Sequence, residues 1–291
     1  MNTMQGFLNV YKPSGMTSSK VVTSIKKRFH IDKIGHMGTL DPMACGVLPI
    51  AIGKATRMFD YFLEKNKTYI ARFDFSYTTD TLDATGNISG KSVSIVSQED
   101  IEKILPKFVG EISQTPPQYS AKSINGKRAY DYARSGEYVE LKPKIITISR
   151  LELLRKISDN EYEFLITCSS GTYIRSIVRD MADAMGVCGC MTYLERSESG
   201  VFLSSNAIKL DPLLDCENLN HLIIPIEEVF GHLPKIQLDS KSIKVLNGLA
   251  CKTDNADGKY LLFDSGMLVA IGSVSNNILK MTTYLKEQTN D

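Results

Sequence analysis

Strand-like and helix-like segments follow one another along this chain without the regular strand–helix–strand alternation of a parallel α/β protein. KTYIARFDFSYTTD is rich in aromatic and β-branched residues and predicts a strand. KIITISRLELLRKI and EYEFLITCSSG predict two antiparallel neighbours, and GTYIRSIVRDMADAMG predicts a helix with one apolar face. This order favours an α+β fold in which helices flank a mixed, largely antiparallel sheet.

The end of the chain has a different pattern. From about Leu233, the short alternating runs KYLLFDSG, MLVAIGSVS and LKMTTYL are separated by Gly, Asn and Asp, which predicts a small all-β module. We therefore predict a catalytic domain of residues 1–232 and a module of residues 233–291. Prolines and basic residues mark residues 116–147 as an exposed insertion, with a short helix around residues 129–134.

Composition excludes several classes of protein. Of the 291 residues, 43% are apolar and 23% are charged, as in an ordinary globular chain, and no apolar run reaches the roughly 18 residues of a membrane helix. The six cysteines are scattered, and the first residues lack a secretory pattern, so we expect reduced thiols and a cytoplasmic protein. Cys188-Gly189-Cys190 lacks zinc-site spacing, and no metal site is predicted.

Charge is unevenly distributed along the chain. Residues 12–36 carry six Lys/Arg against one acid, and residues 122–150 carry seven against three. Residues 211–232 carry five acids and no Lys or Arg. The two basic segments could form a face that meets phosphates, although such runs are usually solvated surface.

Residues 34–53, with four glycines and two prolines around one Asp, predict a single Gly-rich loop. Its densest chemical signal is GHMGTLDPMACG, residues 35–46, with Asp41 immediately before Pro42. Glycines allow a backbone to approach a ligand, and proline stiffens its path. Two interpretations stay open at this point. Asp41 is either a capping residue of a structural loop or a carboxylate presented to a substrate.

Two further residues carry a choice of this kind. Arg175 stands near the start of the helix after SSGTY, where it could clamp a carboxylate in bidentate fashion or form a surface salt bridge. Tyr69 stands near the start of the aromatic strand. It could form a stacking wall for a nucleobase or pack in the core.

Several motifs occur in a fixed order between Gly6 and about Phe202: GFLNVYKPSGMTS, GHMGTLDPMACG, VLPIAIGKATR, KTYIARF, TDTLDATG, YSA with NGKRAYDYAR, and GTYIRSI. In this order they resemble the TruB family of bacterial tRNA pseudouridine synthases. The resemblance implies conversion of uridine to pseudouridine at position 55, in the T loop of tRNA, with no cofactor and no metal. It also implies a pseudouridine synthase fold with a C-terminal PUA-type RNA-binding module. The expected partner is the T arm of tRNA, bound by a monomer that needs no protein partner.

The resemblance also assigns roles to individual residues. Asp41 is the expected nucleophile, and Arg175 is expected to supply the charge that offsets an ionised Asp in a buried site. Tyr69 is expected to lie against the uracil and to take part in proton transfer. The other expected substrate-binding residues are Tyr173 and Leu194 in the base pocket, His36 in the space that the flipped base leaves, Asp83 near the active site, and Lys12, which with Pro13 supports the catalytic loop.

The match has three departures from the family pattern. Met37 and Cys45 stand where hydroxyl residues are usual, and we expect each to cost a hydrogen bond but not the shape of the loop. In the insertion, Lys122-Ser123 replaces the usual pair of an aliphatic residue followed by a lysine. Either Lys122 or Lys127 could therefore meet a phosphate.

Three rival functions are considered. The chain could be a tRNA-binding or tRNA-folding protein in which catalysis is secondary. It could be a nucleosidase, although such enzymes usually use two carboxylates flanking the bond and the motif loop has one acid, Asp41. It could also depend on a guide RNA, although guide-dependent relatives usually carry longer basic extensions.

Overall fold

The computed structural model describes residues 4–63, 65–120, 122–124 and 126–285. Their strands are β1 (Gly6–Lys12), β2 (Ile34–His36), β3 (Cys45–Ile52), β4 (Lys67–Asp74), β5 (Tyr77–Thr79), β6 (Ile88–Lys91), β7 (Gly110–Gln114), β8 (Ser123–Ile124), β9 (Lys127–Arg128), β10 (Lys144–Lys156), β11 (Glu161–Cys168), β12 (Cys190–Ser199), β13 (Phe202–Leu203), β14 (Ile208–Lys209), β15 (Lys235–Gln237), β16 (Cys251–Lys252), β17 (Gly258–Asp264), β18 (Met267–Ser275) and β19 (Ile278–Tyr284). Their α-helices are α1 (Ser18–Phe29), α2 (Phe59–Leu63), α3 (Gln98–Ile104), α4 (Ala129–Arg134), α5 (Ile174–Met185), α6 (Leu210–Asp215) and α7 (Ile226–Val229).

One sheet forms the centre of the fold. Its strand order is β14-β1-β3-β12-β4-β11-β10-β7, with β2 paired to β3 and β13 paired to β12. Among the described strands of this central sheet, only the β1–β14 and β3–β12 pairs are parallel. The predicted mixed, largely antiparallel sheet is therefore confirmed. The predicted antiparallel pairing of β10 with β11 is also confirmed.

Helices cover both faces of this sheet. Because side chains alternate along a strand, Leu48 and Ile50 of β3 join a core that also contains residues of α1, α3 and α5. Val47 and Ala51 point the other way and join a second core with residues of α2 and α7. Strand β3 is consequently buried at every position, as expected of a strand covered on both faces.

One part of the sheet differs from the prediction. Residues 34–53 were expected to form a single Gly-rich loop, but they contain β2 and β3, and the loop is confined to residues 37–44. Gly46 has φ +101°, and a Cβ there would lie 2.3 Å from the Arg196 carbonyl oxygen. The glycine is therefore required by close strand packing, not by a turn. Pro49 is accommodated within β3, where its carbonyl accepts the Met37 N–H at 2.8 Å.

The C-terminal residues form a separate five-stranded sheet, with the order β15-β17-β18-β19-β16. This confirms the predicted sheet-rich module. Leu261, Ile271 and Leu285 of this part pack in the same apolar cluster as Phe7 and Phe230. The boundary at residues 232/233 therefore stays a prediction, since one core spans it. Among the helices described, none is long and apolar enough to cross a membrane.

Lys12 closes the end of β1 against the loop of residues 37–44. Its side chain is fully buried, and Nζ donates to the carbonyls of Pro13 at 2.9 Å, Met16 at 2.5 Å and Pro42 at 3.2 Å. Burial lowers the pKa of Lys12 to about 8, against the opposing effect of nearby Cys45 and Asp41. The ammonium group thus replaces water as the donor for three backbone oxygens.

We expect Lys12→Met to lower the free energy of unfolding at pH 7 by about 1–3 kcal/mol, because buried carbonyls lose their donor. Urea denaturation of the variant and the parent would measure the difference. Lys20→Met, at an exposed position of α1, is the control and should change stability by less than about 0.5 kcal/mol. Equal stability of Lys12→Met and the parent would contradict this role of the lysine.

The stability difference should also depend on pH. The folded-state pKa of Lys12, about 8, lies below the ordinary value of 10.5, so the unfolded chain binds more protons between these two values. Lys12 therefore contributes a rise in stability with pH across that window, and the parent has this contribution whereas Lys12→Met lacks it. The gap between the two proteins should widen from pH 8 to pH 10, and a gap that narrows would refute the assignment.

Candidate active site

The loop of residues 37–44 is held by hydrogen bonds from the chain around it. Ser18 Oγ accepts the Leu40 N–H at 2.9 Å and donates to the Leu40 carbonyl at 3.0 Å. The Gly15 N–H donates to the Pro42 carbonyl at 2.8 Å, and the Ala44 N–H donates to the Asp41 carbonyl at 3.1 Å. These contacts fix the backbone on both sides of Asp41 and leave its carboxylate free to face another element.

Arg175 is the partner of that carboxylate. Its Nε donates to Asp41 Oδ2 at 2.8 Å, and its Nη1 donates to the Thr81 carbonyl at 3.1 Å. The Arg175 side chain is 7% exposed and that of Asp41 is 32% exposed. The structure thus brings the two predicted residues together through one charge-assisted hydrogen bond, not through the bidentate clamp considered above.

Asp83 lies on the other side of the same guanidinium. Its Oδ2 is 3.7 Å from Arg175 Nε, and its Oδ1 accepts hydrogen bonds from the Thr85 N–H at 3.0 Å and from the Thr81 and Thr85 hydroxyls. The Asp83 carboxylate therefore stabilises its own turn and also lies beside the guanidinium of Arg175.

A cavity of about 530 Å³ opens in front of the Asp41–Arg175 pair. Five of the eight predicted site residues line it: Asp41, Tyr69, Tyr173, Arg175 and Leu194. Lys12, His36 and Asp83 do not appear in its lining. Lys12 contacts the loop of residues 37–44, Asp83 lies beside Arg175, and His36 ends the strand just before the loop. The lining combines aromatic and aliphatic walls with a few polar groups, as small-ligand sites do.

The two tyrosines of the cavity are held in different ways. Burial raises the pKa of Tyr69 to about 12, although the neighbouring Arg196 acts in the opposite direction, so the hydroxyl keeps its proton at neutral pH. Tyr173 is fixed through its backbone. Its N–H donates to Gln114 Oε1 at 2.8 Å, and Gln114 Nε2 donates to its carbonyl at 3.1 Å.

His36 stands in β2, just before the loop. Burial, followed by the charge of Arg196, lowers its pKa, so the imidazole is neutral at physiological pH. Its Nδ1 atom is buried and has no hydrogen-bond partner.

The three departures from the family pattern have distinct surroundings. Met37 is buried in the core beside α2. Cys45 Sγ contacts the hydroxyls of Tyr11 at 3.4 Å and Tyr193 at 3.6 Å. Lys122 lines the cavity, whereas Lys127 Nζ lies 4.4 Å from the ring centroid of Tyr132. The geometry favours Lys122 over Lys127 as the lysine nearer to a ligand.

Lys67, Gln114 and Arg196 are among the buried polar residues of the lining that were not predicted as site residues. Lys67 Nζ donates to the carbonyls of Phe62 at 3.2 Å and Lys65 at 2.9 Å and to Ser170 Oγ, and burial lowers its pKa to about 8. Arg196 stands two positions after Leu194 on β12 and therefore on the same face. That spacing was the one signal in the sequence that could have indicated it.

Charge is strongly unbalanced around this cavity. Among the described residues that line it, Asp41 is the single carboxylate, against five cationic side chains: Lys67, Lys122, Lys144, Arg175 and Arg196. Within the described part of the chain, no group of three or more His, Cys, Asp or Glu is arranged to hold a metal ion. The cavity is thus suited to an uncharged or anionic ligand, such as a nucleotide.

Comparison with known proteins agrees with this geometry. Residues 26–174 match the family described as TruB family pseudouridylate synthase (N terminal domain). Residues 175–230 match the tRNA pseudouridylate synthase B C-terminal domain. The tRNA pseudouridine synthase B of Caldanaerobacter subterraneus is 39% identical over 275 residues, which cover 93% of this chain and 95% of the relative. That of Aquifex aeolicus is 37% identical over 280 residues, which cover 95% and 98%.

Solved structures extend the similarity to three dimensions. A protein in an H/ACA RNP bound to a substrate RNA containing 2′-deoxyuridine superimposes with a TM-score of 0.72 and 25% identity, covering 98% of this chain and 86% of that one. A protein in a Cbf5–Nop10–Gar1 complex superimposes with a TM-score of 0.72 and 26% identity, covering 97% and 84%. The chain therefore belongs to the TruB family of pseudouridylate synthases, and it is an isomerase of that family.

Proposed function

We propose that this chain converts uridine to pseudouridine at position 55 in the T loop of tRNA, with Asp41 as the nucleophile acting on a flipped-out base. The names of its relatives, tRNA pseudouridine synthase B, support tRNA as the substrate. The observation that carries the proposal is the 2.8 Å hydrogen bond from Arg175 Nε to Asp41 Oδ2, at the wall of a cavity of about 530 Å³.

The arrangement of acids favours an isomerase over a nucleosidase. A nucleosidase of the usual kind needs two carboxylates that flank the bond, and Asp41 is the single acid among the described lining residues. Asp83 is near, but its oxygens are occupied by its own turn and by Arg175. One carboxylate therefore faces the substrate, as a nucleophilic mechanism requires.

The cavity walls support a flipped base. A uridine stacked in a folded loop must leave the stack at a cost of a few kcal/mol. Tyr69, Tyr173 and Leu194 offer the flat and aliphatic surfaces that replace stacking. The cationic lining and the basic insertion of residues 116–147 attract the phosphates that flank the base, and these contacts offset part of the flipping cost.

The chemistry conserves atoms and electrons. The N1–C1′ bond of the uridine breaks, a C5–C1′ bond forms, C5 loses its proton, and N1 gains one. In our proposal Asp41 supplies the nucleophilic oxygen, and Arg175 orients that carboxylate through the hydrogen bond from its Nε to Asp41 Oδ2. Tyr69, protonated at neutral pH because its pKa is about 12, starts as a hydrogen-bond donor to the uracil.

His36 is proposed to enter the T loop in the space that the target base leaves. Because burial lowers the pKa of His36 and its imidazole is neutral, the ring can enter a stacked loop without the desolvation cost of a charged group. Lys12 has a different part in the proposal. Because its Nζ donates to the backbone around Pro42, it supports the catalytic loop and does not contact the base.

We expect Asp41→Asn to abolish pseudouridine formation, by roughly 10⁴-fold or more in rate, because the nucleophile is lost. Binding of unmodified tRNA should stay within about threefold, since the amide keeps the shape of the side chain. Asp159→Asn, at a side chain that is 90% exposed, is the matched control and should keep full activity. Product formation by Asp41→Asn at the parental rate would show that Asp41 is not the nucleophile. Absence of pseudouridine with the parent would leave tRNA binding or folding as the function, and release of free uracil by the parent would identify a nucleosidase.

The position of the modified residue can be tested separately. Purified protein, with no other protein added, should form pseudouridine at position 55 of an unmodified tRNA transcript and in an isolated T-arm hairpin, since the cavity admits one extruded base. A hairpin with cytidine at that position is the control and should yield no pseudouridine. Modification mapped elsewhere in the tRNA, or seen only after another protein or a guide RNA is added, would contradict the proposal.

A further inference from the structure

Arg196 is a buried arginine without an acidic partner. Its residue exposure is 1%, and within the described part of the chain no carboxylate lies within ion-pair distance of its guanidinium. A buried charge is costly unless hydrogen bonds satisfy it. The groups that accept those hydrogen bonds therefore indicate the role of Arg196.

Backbone carbonyls accept these hydrogen bonds. Nε donates to the Val47 carbonyl at 2.8 Å, Nη2 donates to the Gly38 carbonyl at 3.1 Å, and Nη1 lies 3.5 Å from the Thr39 carbonyl. Gly38 and Thr39 belong to the loop of residues 37–44, immediately before Leu40 and Asp41. A Cβ at Gly38, where φ is +141°, would lie 3.6 Å from Arg196 Nη1, so the guanidinium lies directly against this backbone.

Asp41 is consequently held between two buried cations. On the N-terminal side of Asp41, Arg196 contacts the peptide oxygens of Gly38 and Thr39, and Ser18 contacts Leu40. On the C-terminal side of Asp41, Lys12 contacts the Pro42 oxygen. Arg196 also stands directly across from Tyr69 in the β12–β4 pair. A single side chain thus borders both the loop that carries the nucleophile and the tyrosine of the cavity.

We propose that Arg196 is a positioning residue for the isomerisation, which holds the Gly38–Thr39 backbone so that the Asp41 carboxylate stays aligned with Arg175 and the cavity. The inference rests on the proposed function, because it takes Asp41 to be the nucleophile. Arg196 acts through that loop. Although Arg196 also lines the cavity, its Nε, Nη1 and Nη2 atoms face the main-chain oxygens of Val47, Thr39 and Gly38, so its role is assigned to the loop and not to the reacting atoms.

Positioning predicts a particular kinetic signature. A displacement of about 1 Å in a catalytic group costs on the order of 100-fold in rate, whereas binding of the RNA depends on contacts elsewhere. We expect Arg196→Met to lower the single-turnover rate with saturating enzyme by about 100-fold and to change the Kd for unmodified tRNA by less than about threefold. Arg196→Lys should lose at least about 10-fold in rate, because an ammonium keeps the charge but cannot span the same three carbonyls.

Arg28 supplies the matched control. Its Nε and Nη2 donate to the carbonyls of Leu214 and Cys216, both at 2.8 Å, so it ties a loop by the same chemistry away from the cavity. Arg28→Met should keep the parental single-turnover rate with saturating enzyme, a rate that does not depend on RNA affinity. All variants are compared below their unfolding temperatures, and Arg196→Lys carries the test if Arg196→Met does not fold.

Each other outcome overturns the inference. A parental rate in Arg196→Met or Arg196→Lys would show that the contact with the loop does not matter for catalysis. A loss of RNA affinity as large as the loss of rate would make Arg196 an RNA-binding residue, and an equal loss in Arg28→Met would indicate a general effect of destabilisation. The Asp41→Asn variant distinguishes failure of the proposed function from failure of the positioning role of Arg196. If it is inactive while Arg196→Met is fully active, the proposed function stands and the positioning role fails.

Discussion

The half-buried carboxylate of Asp41 requires a cation, and Arg175 is the residue that satisfies it. An ionised acid in such a site is stable only when charge and hydrogen bonds replace the water it loses. Because the same guanidinium also donates to the Thr81 carbonyl and approaches Asp83, it joins the loop of residues 37–44, the turn after β5 and the start of α5. The cavity therefore forms where three distant segments meet at one side chain.

A second constraint comes from the irregular backbone of the loop of residues 37–44. A loop inside the fold has no ladder partners, so its peptide groups need other donors and acceptors. Here side chains take that role: Lys12, Ser18 and Arg196 contact the main chain from Gly38 to Pro42. Cations suit this task because each offers several donors. Their charge also leaves the cavity electropositive, which favours a polyanionic substrate.

Local pattern predicted much of this molecule. The β10–β11 pair, the apolar face of α5 and the three long strands of the C-terminal sheet follow from periodicity alone, and family resemblance paired Asp41 with Arg175. The sequence could not show that β2 and β3 flank the loop, since Gly46 and Pro49 look like turn residues until β12 is placed beside them. Arg196 and Gln114 were missed for a related reason. A buried polar side chain is recognised by its partners, which lie far away in sequence.

Asp41 and Arg175 are separated by 134 positions, and β3 pairs with β12 across a similar stretch. Such non-local contacts form late, after much loop-closure entropy has been lost. During synthesis, residue 41 is translated 134 positions before residue 175, so the nascent chain carries the Asp41 carboxylate before its cationic partner exists. The Asp41–Arg175 pair therefore forms only after the start of α5 has been made, and the wall of the cavity is complete only after β12 has supplied Leu194 and Arg196.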